Sequence, residues 1–144
     1  MRKLLLASLV AVIAVLALAA PSGAMAGATV SVRDSRFGRI LTDGRGFTLY
    51  LFTRERTSRS RCYGQCAVAW PPLLTTGKPR AAGAARSWHL GTTRRADGTR
   101  QVTYRGHPLY YYVNEKQPLQ VLCQNVFEFG GLWLVVSPSG KAIR

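Results

Sequence analysis

Arg45-Gly46-Phe47-Thr48-Leu49-Tyr50-Leu51-Phe52-Thr53-Arg54-Glu55 recurs 60 residues later as Arg105-Gly106-His107-Pro108-Leu109-Tyr110-Tyr111-Tyr112-Val113-Asn114-Glu115. Arg, Gly, Leu, Tyr and Glu coincide without a gap, Phe52 matches the aromatic Tyr112, and upstream Gly38 matches Gly98. Each half thus carries Gly-x-x-Leu-Tyr-x-aromatic-x-x-Glu. Alternate residues of a strand share a face, so Tyr50 and Phe52 point one way, as do Tyr110 and Tyr112. Neither half holds enough apolar side chain to fold alone, which predicts two repeats packed as one pseudo-symmetric domain. The repeats are expected over about 38–74 and about 98–141.

Outward from these motifs the pattern is short strands and turn signals. Thr29 to Val32 alternates, and Asp43-Gly44-Arg45-Gly46 turns the chain into Phe47 to Phe52. Trp88 to Thr93 and Gln101 to Tyr104 flank Ala96-Asp97-Gly98-Thr99, the signature of a hairpin with an Asp-Gly turn. Arg105-Gly106 leads into Leu109 to Val113, and Ser137-Pro138-Ser139-Gly140 separates Leu132 to Val136 from Lys141 to Ile143. Gln65 to Trp70 has room for one helical turn, ended by Pro71-Pro72. Thr75 to Arg86, rich in Gly, Ala and Arg, reads as an exposed connection. The expected class is mainly β: a single small domain of two antiparallel β repeats with little helix.

The N-terminus reads as a secretory leader. Met1-Arg2-Lys3 is basic, Leu4 to Ala20 is free of charge, and Ala24-Met25-Ala26 offers a small-x-small cleavage pattern. Residues 1–26 are expected to be a signal peptide cut after Ala26, giving a secreted or extracytoplasmic chain over 27–144 with no membrane-spanning helix. The charge is lopsided. With Arg2 and Lys3 removed, 18 basic residues face 6 acidic ones, a net +12. Arg54, Arg56, Arg59, Arg61, Arg94 and Arg95 form the densest runs and are the candidate basic face. Such a field attracts anionic envelope polymers or lipid surfaces. No nucleic-acid-binding motif accompanies it, which argues against nucleic acid.

Three cysteines enter an oxidising compartment. Cys62 and Cys66 are candidates for a local disulfide, leaving Cys123 as an unpaired thiol open to a disulfide-linked dimer. The other pairing joins Cys123 to one of them and ties the repeats together. A redox, metal or haem-handling role would use Cys62, Cys66, Cys123 and His107. The spacing is not that of a zinc site, so no cofactor or metal is expected. Glu55 and Glu115 would serve as a carboxylate pair only if they met in a cleft with shifted pKa values. Otherwise they partner arginines or backbone amides. Trp70, Trp88 and Trp133 are expected to anchor the core. No nucleophile elbow, phosphate loop or metalloprotease helix is present, and no catalytic residue is assigned.

The tyrosine motifs, with Cys62-Tyr63-Gly64-Gln65-Cys66-Ala67-Val68-Ala69-Trp70-Pro71-Pro72-Leu73, Arg95-Ala96-Asp97-Gly98, Gly106-His107-Pro108-Leu109-Tyr110-Tyr111 and Phe129-Gly130-Gly131-Leu132-Trp133, resemble a family of bacterial secreted-repeat proteins. Many of its members are lipoproteins, and it has no established activity. The resemblance implies an envelope or extracellular location. The chain departs from it in carrying Glu55 and Glu115 where the family has Asp, in lacking a lipid-anchor cysteine, and in placing Cys123 where glycine is common. The expected function is non-enzymatic binding of an anionic envelope component or a protein partner through the basic face.

Overall fold

The computed structural model describes residues 26–144, so the predicted leader lies outside the described residues except for Ala26. Among the described residues nine short strands make three three-stranded sheets. β1 (Thr29–Ser35) and β2 (Gly38–Asp43) form a hairpin, with β4 (Arg80–Ala81) on the outer side of β1. β3 (Tyr50–Phe52), β9 (Gly131–Val135) and β8 (Val126–Glu128) make the second sheet. β5 (Leu90–Arg94), β6 (Arg100–Tyr104) and β7 (His107–Pro108) make the third. The one α-helical turn among the described residues, α1 (Gln65–Ala69), stops before Pro71-Pro72 as proline requires. The molecule is mainly β, as the turn chemistry predicts. The Asp-Gly hairpin joins β5 to β6, and Gly98 takes φ +86°, open to glycine at little cost.

Backbone hydrogen bonds run between the repeats in matched pairs. Tyr50 and Tyr110 exchange both bonds at the centre, N–H to carbonyl at 2.8 and 3.0 Å. Outside them, β3 pairs with β9, Tyr50 opposite Val135 and Phe52 opposite Trp133. Residues 109–113 meet 69–73 in the same way: Tyr110 bridges Pro72, while Tyr111 and Val113 donate to Pro71 and Ala69. The Leu41 N–H reaches the Val136 carbonyl as the Val102 N–H reaches Leu73, each at 2.8 Å. The last stretch of each repeat is therefore hydrogen-bonded to the middle stretch of the other.

Two expected elements need correction. Leu109 to Val113 is not a strand, because its partner carries Pro71-Pro72, which have no N–H to complete a ladder. The 75–86 connection is not wholly loop. Arg80–Ala81 pairs with β1, and this pairing is parallel in an otherwise antiparallel structure.

Two apolar clusters fill the interior. One gathers Val30, Leu41, Leu49, Leu51, Val102, Leu109 and Leu134. The other is aromatic. Trp70 and Trp133 stack at 4.1 Å between centroids, and Phe52 stacks on Trp133 at 4.2 Å. Tyr112 covers Trp70, while Tyr50 meets Trp70 and Tyr110 meets Trp133 edge-on. Each repeat's tyrosine thus abuts its own tryptophan, and its next motif aromatic covers the tryptophan of the other repeat. Side chains of this size bury roughly 150–250 Å² apiece, so this cluster makes a large apolar contribution to stability. Trp88 does not join it. It is 75% exposed, on a 3-10 turn at Ser87–His89.

Candidate binding surface

The repeat motif places its acid by ending each motif segment in a tight turn. The Glu55 N–H returns to the Phe52 carbonyl and the Glu115 N–H to the Tyr112 carbonyl. Each carboxylate then reaches across to the other repeat. Tyr110 donates its hydroxyl to Glu55 Oε1 at 2.5 Å, and Tyr50 donates to Glu115 Oε1. The same oxygens accept backbone N–H groups further on, from Arg61 at 2.8 Å and Leu122 at 2.9 Å. Each glutamate therefore joins the repeats and closes the loop that follows it.

Burial controls the protonation of these groups. Glu55 is 4% exposed, and its Oε2 has no hydrogen-bond partner. Desolvation pushes its pKa up to about 7, against the opposing pull of the Tyr110 and Arg61 bonds and the Arg95 charge. Burial raises Glu115 as well, and lifts both tyrosines far above the usual phenol range. The two carboxylates bind different tyrosines and different loops, which is the arrangement of cross-repeat fasteners.

The loop closed by Glu55 carries the arginines. Cys62 and Cys66 are joined as a disulfide, Cα atoms 5.2 Å apart, so this pairing holds and Cys123 is left as a free, half-buried thiol. Burial pushes the Cys123 thiol up. With Cys62 and Cys66 bonded to each other, the thiols of the redox and metal reading are not free ligands. Among the described residues no three His, Cys, Asp or Glu are grouped to hold a metal ion. His107 pairs opposite Tyr104 at the start of β7, half-buried, its pKa lowered by burial and then by Arg105.

Arg54, Arg56, Arg59, Arg61 and Arg94 are exposed. Arg54 donates to the Phe129 carbonyl at 3.2 Å and, with Arg61, Tyr63, Gln65 and Phe129, lines an open cavity of about 620 Å³. Arg95 is a correction: at 4% exposure it is not part of any basic face. Its guanidinium donates to Gln101 Oε1 at 2.8 Å and to the Cys62 carbonyl at 2.7 Å, under the Tyr63 ring. Ser60 donates to the same Gln101 oxygen. These contacts bind the β5–β6 hairpin tip to the disulfide loop, and nothing in the sequence spacing signalled them.

The acids are distributed in the opposite way. Asp43, Glu55 and Glu115 are buried, leaving only Asp34, Asp97 and Glu128 exposed. Every lysine and arginine from Arg33 onward except Arg95 is exposed. Arg45–Asp43, at 3.0 Å, is the only salt bridge among the described residues. The surface charge is thus more one-sided than the composition implies.

A small mainly β chain with paired internal motifs and a largely uncompensated cationic surface is a repeat-built module. The chain belongs to a family described as a secreted repeat of unknown function, which matches residues 31–74 and 91–137. No curated protein and no solved structure matches it.

Proposed function

We propose that the protein is a non-enzymatic, extracytoplasmic binding module that attaches to an anionic envelope component through Arg54, Arg56, Arg59, Arg61 and Arg94. The observation that carries this reading is the sorting of charge: half the carboxylates are inside and nearly all the cations outside. Uncompensated cations raise the local concentration of polyanions and speed their encounter. The arginine loop is also held in shape, by the Cys62–Cys66 disulfide and by the Arg61 N–H on Glu55, so less order is lost on binding. Cleavage after Ala26 belongs to the same proposal, since it frees the module from its leader.

The test is polyanion binding as a function of salt. Affinity for polyphosphate should fall steeply from low ionic strength to 0.15 M, where the screening length is about 8 Å. Replacing Arg54, Arg56, Arg59 and Arg61 by Gln should weaken it at least tenfold with an unchanged melting temperature. Salt-independent binding, or full binding by the quadruple variant, would refute the assignment.

A further inference from the structure

A second cationic region lies along the edges of β4 and β5, its Arg100 paired across the hairpin with Arg94. A groove of about 980 Å³ runs along Gly27, Lys78, Arg80, Trp88, Thr92 and Arg100, with no carboxylate in its lining. Its walls are two sheet edges, β4 on one side and β5 on the other. The hydrogen bonding of these edges leaves backbone groups facing it. Arg80 donates to Ala28, just before β1, and Ala82 to Val30 on β1, so the Ala81 peptide N–H turns away from that sheet. The Arg95 N–H bonds Thr99 and the Arg105 N–H bonds His89, so antiparallel alternation turns the Thr92 N–H and carbonyl away from β6. Trp88 stands 75% exposed beside them, while Trp70 and Trp133 are fully buried.

An indole in solvent is costly to leave uncovered, and a flat apolar ring flanked by polar donors suits the face of a sugar ring. Lys78, Arg80 and Arg100 supply charge complementarity for an acid on that sugar. The outward peptide groups of Ala81 and Thr92 and the Ser87 and Thr92 hydroxyls provide donors and acceptors for ring hydroxyls. A polyanion without rings in its backbone would use the cations and leave Trp88 idle. The geometry points to this groove as a binding site for an acidic polysaccharide, a chain of uronic-acid rings laid across Trp88 with its carboxylates on Lys78, Arg80 and Arg100. This deepens and rests on the proposed attachment to anionic envelope material, and it assigns recognition of the sugar to a different place from the arginine loop.

The experiment measures binding of a hexauronate to the full processed chain by calorimetry and by tryptophan fluorescence. A neutral hexasaccharide, polyphosphate and poly-glutamate serve as comparison probes. Wild type should bind the hexauronate, with a change in Trp88 emission, and bind the neutral sugar at least tenfold more weakly. Trp88→Ala, at an exposed site and checked for an unchanged melt, should lose tenfold or more toward hexauronate and nothing toward polyphosphate. The triple variant Lys78→Gln, Arg80→Gln, Arg100→Gln should lose hexauronate binding too. Full hexauronate affinity in Trp88→Ala, no hexauronate binding by wild type, or equally Trp88-dependent binding of poly-glutamate would each overturn the site. Polyphosphate binding that still depends on Arg54, Arg56, Arg59 and Arg61 would, in those cases, leave the broader attachment function standing.

Discussion

Glu55 shows how one buried atom sets a pH response. Its pKa in the fold, about 7, lies above the ordinary carboxylate value because Oε2 is shut away from water and unpartnered. The folded state therefore binds the proton more tightly than the unfolded chain. The stability linked to that proton is fully present below about pH 4.5 and is lost as pH rises to about 7, on the order of 3 kcal/mol in all. Glutamine imitates the protonated form at every pH. Glu55→Gln should consequently gain stability relative to wild type between pH 4 and pH 8, read as the difference between their denaturant midpoints. A difference that stays constant with pH would mean that Glu55 has the same pKa in the folded and the unfolded chain. The tyrosines give a second residue-scale test. Tyr50→Ala and Tyr110→Ala each remove a fully buried ring and should cost roughly 3–5 kcal/mol. Equal losses are expected from matched contacts, and a near-wild-type melt for either would end the equivalence.

The disulfide loop, Cys62 to Cys66, adjoins the arginine segment at its C-terminal end. Closing the five-residue loop that runs from Cys62 through Cys66 contributes about 2 kcal/mol in the chain-entropy picture. Cys62→Ser with Cys66→Ser should lose about that much in a melt and leave the Arg56–Arg61 segment more open to protease. An unchanged cleavage rate would show that the Glu55–Arg61 contact alone holds the loop. Local signals of this kind were legible in the sequence: the Asp-Gly hairpin, the proline stop after α1 and the cysteine pair each follow from a few adjacent residues. Elements that depend on distant partners were not. Leu109 to Val113 has strand composition, yet its pairing is decided by prolines some 40 residues earlier. Arg80–Ala81 has none of the apolar alternation of a strand and is recruited by the edge of β1. Arg95 and Trp88 are exchanged relative to their residue types, the cation inside and the indole outside. For Arg95 the cause is two acceptors, Gln101 and the Cys62 carbonyl, that only folding assembles.

At the scale of the whole molecule, the matched hydrogen bonds determine what can fold. β3, from the first repeat, takes its ladder partner β9 from the second, and residues 109–113 of the second are satisfied by 69–73 of the first. The tryptophan stack and both tyrosine–glutamate bonds also cross between repeats. A separated half would keep its local hairpin but expose half the aromatic cluster and bury a glutamate with no tyrosine to donate to it. A single two- or three-stranded sheet without a covered face is marginal at best in water. Fragments 27–89 and 90–144 should therefore each lack a cooperative melt and a near-ultraviolet signal from ordered tryptophan. Mixed at equal concentration they should recover both, because every broken pair can re-form between chains, and the recovered melt should rise with concentration as mass action requires. The connection cut at 89–90 lies just after the 3-10 turn, and the cut leaves the β5–β6 ladder whole. Cooperative melting of either fragment alone would show that its repeat is an independent folding unit. Failure of the mixture to refold would show that the repeats need the covalent link at 89–90 to assemble, the β1–β4 pairing being intact within 27–89.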